Sequence, residues 1–457
     1  MPKRDDYFEI YYLLLQQQFV FPGLKHLGPW SFDKWVTRFA ASKRPALISA
    51  RDRVDRGLVS DKEFQKVTIF AKREPKNIPV LLSNTVKAME VVDDRCINAC
   101  SDALKVAIGP TMCALAWRLA RTWHSNSPVF FEYDADDVEI GEWYQYGLEH
   151  YAAEDCMELD CSRIDATHTP WSLSLGFDVM QSYGVSRHVM RLLRLQLENV
   201  HGSSRNGVAY DRIAFNRSGV PNTTLTNTIA VACAFVAGVL AAGGRLEELR
   251  LMVKGDDSFA FLPRKYHKSV EETFRKMGFI PKVKSGHPQY DHTFCSNLFY
   301  PVEVDGRATF RPGPTPKALR KFFVTISDVP VRRALSHVRG VCLGLRHIAN
   351  HVPMLHELIE NCLDALPRVF DSTVKEALAR SRTKLLSSQA KSADYTSKTW
   401  DMLAMNLRCP GMGQALRLAA EDYAQRCATI LAGGGAAGIL WTAELEWLAR
   451  VVQASCE

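Results

Sequence analysis

Apolar positions in the chain change their rhythm from region to region. Leu249 to Val253, broken only by Arg250, and Phe259 to Leu262 are short apolar runs flanking Gly255-Asp256-Asp257, a pattern that predicts strand, tight turn, strand. Residues 156–165 read as another strand, ending in acidic residues. A Thr-rich stretch runs into Ile229 to Phe235, which predicts a buried helix closing at Gly243-Gly244. Val67 to Phe70 reads as a short strand leading to a basic loop, and Cys113 to Ala120 as helix. A helix around Ser186–Val200 is expected next, then a turn over Gly202 to Asn206 and a short hairpin reaching Phe215. From residue 330 the spacing becomes helical, as in Ala334, Leu335, Val338, Val341, Leu343 and in Leu355, Leu358, Ile359, Cys362, Leu363. Gly433 to Gly435 and Gly438 break the last helical region.

Composition bounds this pattern. The 457 residues allow about three domains, and 47% hydrophobic with 23% charged residues is the balance of a globular protein with a large core. No repeat or low-complexity tract interrupts it. The net charge of +7 is concentrated near the start, where residues 1–90 hold 16 Lys and Arg against 10 Asp and Glu. Such a surplus suits a polyanion and equally a solvated basic face. Trp30, Trp35, Lys34, Arg38, Lys43 and Arg44 fit either nucleic-acid stacking or an amphipathic helix packing its aromatics inward. The twelve cysteines are scattered. Cys96 and Cys100 fall four apart, as on one helix face, but without a second pair at zinc spacing, so buried free thiols in a reducing compartment are expected. No signal-peptide pattern or transmembrane anchor is read, the apolar run Ile229 to Ala242 being shorter than a bilayer span.

The chemistry lies in the polar positions. Adjacent carboxylates Asp256 and Asp257 at a turn are costly unless a cation sits on them, and a divalent metal is the natural one. Asp160, in Glu158-Leu159-Asp160-Cys161-Ser162-Arg163-Ile164-Asp165, supplies a third acid, and together they suggest a two-metal phosphoryl-transfer centre. Taken alone, Gly-Asp-Asp is also an ordinary turn. Thr223 and Asn227, four apart, share a helix face that could read sugar hydroxyls or only cap backbone groups.

Order and company decide. Asp160-x-Ser162-x-x-Asp165, then Ser218-Gly219 with Thr223 and Asn227, then strand–Gly255-Asp256-Asp257–strand, resemble palm motifs A, B and C of the viral RNA-dependent RNA polymerases, in the flavour of positive-strand viruses that are nodavirus-like or tombusvirus-like. Gly278 to Lys284 is similar to motif D, Phe294-Cys295-Ser296 to motif E, and Lys72 to Pro79 to the basic motif F. The resemblance spans roughly residues 66–300.

It implies an α+β right-hand polymerase with an antiparallel-sheet palm, mixed fingers and a mostly helical thumb. The boundaries expected are 1–155 for the N-terminal region and fingers, 156–169 for the first palm segment, 170–215 for a fingers insertion, 216–310 for the rest of the palm, and 311–457 for the thumb. It implies Asp160, Asp256 and Asp257 as ligands of Mg²⁺, with Mn²⁺ as a substitute, and Lys282 or Lys284 as general acid toward pyrophosphate. Asp165 would pair with Asn227 to recognise the ribose 2′-hydroxyl, with Ser218, Gly219 and Thr223 positioning the sugar; Asp165 could equally serve as a helix N-cap. Lys72, Arg73 and Lys76 would contact the triphosphate, although Pro75-Lys76-Asn77-Ile78 has Lys where the commoner form has Arg. Phe294, Cys295 and Ser296 would face the primer backbone. Implied partners are template and nascent RNA, NTPs, and other viral or host replication proteins. The expected location is the host cytoplasm, with membrane association through partners. A reverse transcriptase and a catalytically inactive polymerase-fold RNA-binding scaffold are the alternatives. The intact acids argue against the scaffold, and the Asp165/Asn227 pair favours ribose.

Overall fold

The computed structural model describes residues 3–72, 96–195, 199–213 except 206, 216–285, 292–315 and, with short gaps, 333–375, followed by scattered positions between 394 and 429. Mixed helix and sheet give an α+β chain that separates into two compact units. The first comprises Met1–Lys72, Val80–Tyr133 and Glu154–Ser285; the second comprises Arg73–Pro79, Asp134–Ala153 and Gly286–Glu457.

Strands of the first unit are β1 (Val67–Ala71), β2 (Cys96–Cys100), β3 (Val129–Phe131), β4 (Cys156–Cys161), β5 (Asn199–Ser204), β6 (Ala209–Ile213), β7 (Arg250–Lys254), β8 (Asp257–Phe261) and β9 (Pro281–Ser285). Five of them form a sheet in the order β3-β7-β8-β4-β9, antiparallel throughout except where β3 joins β7. β7 and β8 are near-continuous apolar runs, as strands buried on both faces must be. Helix Thr223–Ala241 has every residue from Leu225 to Val239 buried. It crosses helix His267–Lys276 so closely that a Cβ on Gly238 would stand 2.5 Å from the Val270 Cα. That helix is 19 residues long and apolar enough to span a bilayer, longer than the run read from the sequence because it begins at Thr223, yet 83% of its apolar window is buried inside the protein. Its hydropathy is that of a core helix.

A second sheet runs β2-β1-β5-β6. Here two expectations are corrected. The helix expected around Ser186–Val200 stops at Arg194, and Gly202 lies inside β5 rather than in a turn. β5 is captured by parallel pairing with β1, and Gly202 leaves room for the Tyr210 ring, which lies 2.5 Å from where a Cβ would stand. The hairpin turn falls instead at Gly207, whose φ is +80°. Cys96 and Cys100 are the two ends of β2, not a helix face, and both thiols are free. In the N-terminal segment Trp35 is buried, and Lys34 lies 4.3 Å over the Trp30 ring, the inward-packing alternative.

In the second unit β10 (Asn297–Val304) pairs with β11 (Arg307–Pro314) and β12 (Asp394–Tyr395). Helix Asp137–His150 packs on this sheet through Tyr144, stacked on Phe299 with centroids 3.9 Å apart. Helices Ala334–Ala349 and Pro353–Ala365 follow the expected helical spacing.

Candidate active site

Backbone register assembles the acids. β4 and β8 pair from Cys156↔Phe261 to Leu159↔Ser258, so one step further brings Asp160 level with Asp257. The β7–β8 hairpin closes at Lys254↔Asp257, leaving Gly255 and Asp256 as the two turn residues. Gly255 has φ +66°, the left-handed conformation that a two-residue hairpin with glycine in first place requires. Asp160 and Asp257 are exposed and Asp256 is half-buried. Buried Cys161 registers two of these charges: burial drives its thiol pKa up, and the carboxylates of Asp160 and Asp256 push it further. Residues almost a hundred positions apart therefore present negative charge to one point.

The helix braces the turn. The Gly255 N–H donates to the Thr228 hydroxyl at 2.8 Å. Below the turn Lys254 is ion-paired with the buried Glu132. On the other side of β4, Lys282 is the cross-strand partner of Asp160 and Lys284 that of Glu158, whose carboxylate lies 3.9 Å from the Lys284 ammonium. Partners directly opposite share a sheet face, so both lysines lie on the face of Asp160.

Asp165 lies in the short helix Ile164–Thr167, whose N-cap is Arg163 at φ +52°, so Asp165 is not the cap residue. Its carboxylate accepts hydrogen bonds from the side-chain amides of Asn227 at 2.9 Å and Asn216 at 3.2 Å. Asn216 also donates to the Asn227 oxygen at 2.7 Å, and His168 Nε2 stands 2.9 Å from the same oxygen. His168 Nδ1 in turn meets the Ser172 hydroxyl at 3.1 Å. Burial lowers the His168 pKa to about 4, although its bond to Asn227 works the other way. The imidazole is therefore neutral near pH 7. Asn216 and His168 escaped the sequence reading, which gave no reason to single out an amide two residues before Ser218 or a histidine three after Asp165.

The Thr223 hydroxyl donates to the backbone carbonyls of Arg217 and Val220, so it ties down the preceding loop and makes no cap bond to the first N–H groups of its own helix. The Ser218 hydroxyl accepts from the Asn98 N–H at 3.2 Å and donates to the Cys96 carbonyl, while Gly219 bridges to Ala99. A Cβ on Gly219 would fall 2.7 Å from the Ala99 Cα, so this close seam needs glycine. Lys72 is exposed just beyond β1. Arg73 and Lys76 lie outside the described residues. Phe294, Cys295 and Ser296 belong to the second unit: Phe294 is buried and bonded both ways to Asn297 across a turn whose central residues have φ +50° and +62°. Two consecutive non-glycine residues in that conformation carry strain of ~1–2 kcal/mol each.

Among the described residues no three His, Cys, Asp or Glu side chains enclose a ready metal cage. Carboxylates at strand ends still suit Mg²⁺, which binds through one or two carboxylates and takes its remaining oxygens from phosphates and water.

No curated protein gave a match to the chain. The family model described as RNA dependent RNA polymerase matches residues 31–329, well over half of the 457 residues. The chain belongs to that family, the RNA-directed RNA polymerases of positive-strand RNA viruses, which are nucleotidyltransferases.

Proposed function

We propose that this chain copies a viral RNA genome by template-directed addition of nucleoside monophosphates to an RNA 3′-end, using two divalent ions. The observation that carries the proposal is the β4–β8 register that levels Asp160 with the Asp256–Asp257 turn, together with the joint field of Asp160 and Asp256 at Cys161. Asp160 and Asp256 would hold Mg²⁺, with Asp257 the auxiliary ligand and Mn²⁺ a substitute. When bound, such ions make the 3′-hydroxyl nucleophilic and neutralise the leaving pyrophosphate.

Of the two candidate general acids, cross-strand position favours Lys282, which faces Asp160, over Lys284, which faces Glu158. Asp165 and Asn227 would meet the ribose 2′-hydroxyl, a group that both donates and accepts. Lys72, with Arg73 and Lys76, would offset the charge of the incoming triphosphate. In this reading the five-stranded sheet is the palm, the β2-β1-β5-β6 sheet belongs to the fingers, and the helices after residue 333 belong to the thumb. Phe294 to Ser296 would support the primer backbone.

Primer extension with the purified chain, a primed RNA template and Mg²⁺ or Mn²⁺ tests the proposal. Template-dependent incorporation of NTPs, abolished in Asp256→Ala, is expected. Preferential incorporation of dNTPs, or extension by the Ala variant equal to wild type, would overturn it.

A further inference from the structure

The Asn227 amide is held from three directions. Its oxygen lies between two donors, Asn216 Nδ2 at 2.7 Å and His168 Nε2 at 2.9 Å, while its nitrogen donates to Asp165 at 2.9 Å. Rotating the amide by half a turn would set its NH₂ against the NH₂ of Asn216 and the Nε2–H of His168. It would also turn its oxygen toward a carboxylate. Its contacts to Asn216 and Asp165 would be lost at once, and the one to His168 would survive only if the ring moved its proton to Nδ1.

The histidine is itself fixed. Its Nδ1 lies on the Ser172 hydroxyl, in the first turn of helix Pro170–Ser182, and its ring stands edge-to-face on Phe279 at 5.2 Å. The neutral ring carries a single N–H, and because the Asn227 oxygen beside Nε2 can only accept, Nε2 is the donor and Nδ1 the acceptor. The bonds then run in one direction, from His168 through Asn227 to Asp165. Asn216 adds a second bond to the same Asp165 oxygen.

We infer that His168 and Asn216 are positioning residues that hold the Asn227 amide in the one orientation able to tell ribo- from deoxyribonucleotides, and so set the sugar specificity of nucleotide addition. The inference rests on the proposed reading that Asp165 and Asn227 meet the sugar. Neither His168 nor Asn216 needs to touch the nucleotide. Their effect passes through Asn227, whose Nδ2 carries two N–H groups, one of them taken by Asp165.

The test compares kcat/KM for an NTP and its 2′-dNTP in the full chain on a primed RNA template. Asn227→Ala sets the scale by collapsing the ratio. His168→Leu and Asn216→Ala are each expected to lower it about tenfold, the worth of one lost hydrogen bond. The loss should fall mainly on the NTP, with the dNTP much less affected. His168→Gln, whose amide reaches the Nε2 position, should recover most of the ratio. His168→Asn, whose amide reaches only the Nδ1 position, should not. If Asn227→Ala collapses the ratio while His168→Leu and Asn216→Ala leave it unchanged, the inference falls and the sugar reading stands. If Asn227→Ala itself leaves the ratio unchanged, the sugar reading falls and takes the inference with it. Should His168→Leu fail to fold, the contrast between the Gln and Asn variants decides: recovery in Gln alone supports the inference, and equal ratios in both overturn it.

Discussion

Two clusters built around aspartates sit on the same core helix and are made in opposite ways. Asp160, Asp256 and Asp257 are gathered by backbone register at strand ends that reach solvent, and no cage encloses them among the described residues. Asp165 is gathered by side chains: two amides and a buried neutral imidazole knit it into a network already formed without substrate. The first arrangement gathers negative charge at strand ends. The second spends its hydrogen bonds on fixing geometry. In the proposed reading one site combines an electrostatic half with a rigid half that would read the sugar, each resting on helix Thr223–Ala241, through Thr228 for the turn and Asn227 for the network.

The largest expected effect breaks the open half. Asp160→Ala or Asp256→Ala should reduce nucleotide addition by at least about 10³-fold, because the charge that would hold the ions is gone. The melting temperature should stay within about 2 °C, since these strand-end groups anchor little of the core. Rapid-quench extension and thermal denaturation check both parts. A smaller effect belongs to the lysines. Lys282→Met should slow single-turnover addition by about 10², as loss of a general acid does. Lys284→Met, whose pair with Glu158 spans 3.9 Å at a partly exposed site, should change it about twofold at most.

The rigid half carries a pH signature. His168 titrates near 6.5 when unfolded but at about 4 when folded, so the unfolded chain takes up its proton first as pH falls. Stability is thus undiminished above about pH 6.5 and is lost progressively toward pH 4, by up to ~3 kcal/mol. Denaturant titrations of wild type and His168→Gln should diverge across that window, the variant showing the flatter profile; parallel profiles would contradict the assignment. The smallest effect is at the joint between helix and turn. Thr228→Val removes the acceptor of the buried Gly255 N–H and should cost ~1–3 kcal/mol in chemical denaturation.

The same contrast explains what could be read from the sequence. Strand, turn and strand around Gly255-Asp256-Asp257 were legible because apolar runs and a glycine at a left-handed position are local signals. The buried helix after Thr223 was legible for the same reason, and its partnership of Asn227 with Asp165, implied by the family resemblance, is a hydrogen bond in the structure. His168 and Asn216 were not legible. Their roles depend on which side chains face one another across elements, and no spacing along the chain encodes that. The misplacement of Gly202 has a similar source, since its strand is set by pairing with β1, more than 130 positions earlier. The four-residue spacing of Cys96 and Cys100, which could have marked one helix face, fits one face of a strand equally well.

The central claim is that Asp160 and the 256–257 turn act on the same cations. Localised hydroxyl-radical cleavage tests it directly: Fe²⁺ replaces Mg²⁺ in the chain bound to primed RNA and NTP, and the cut positions are mapped. The account predicts two clusters of cuts, around residues 158–162 and 254–258, both suppressed by excess Mg²⁺. Cuts at only one of these segments, or at neither, would contradict it.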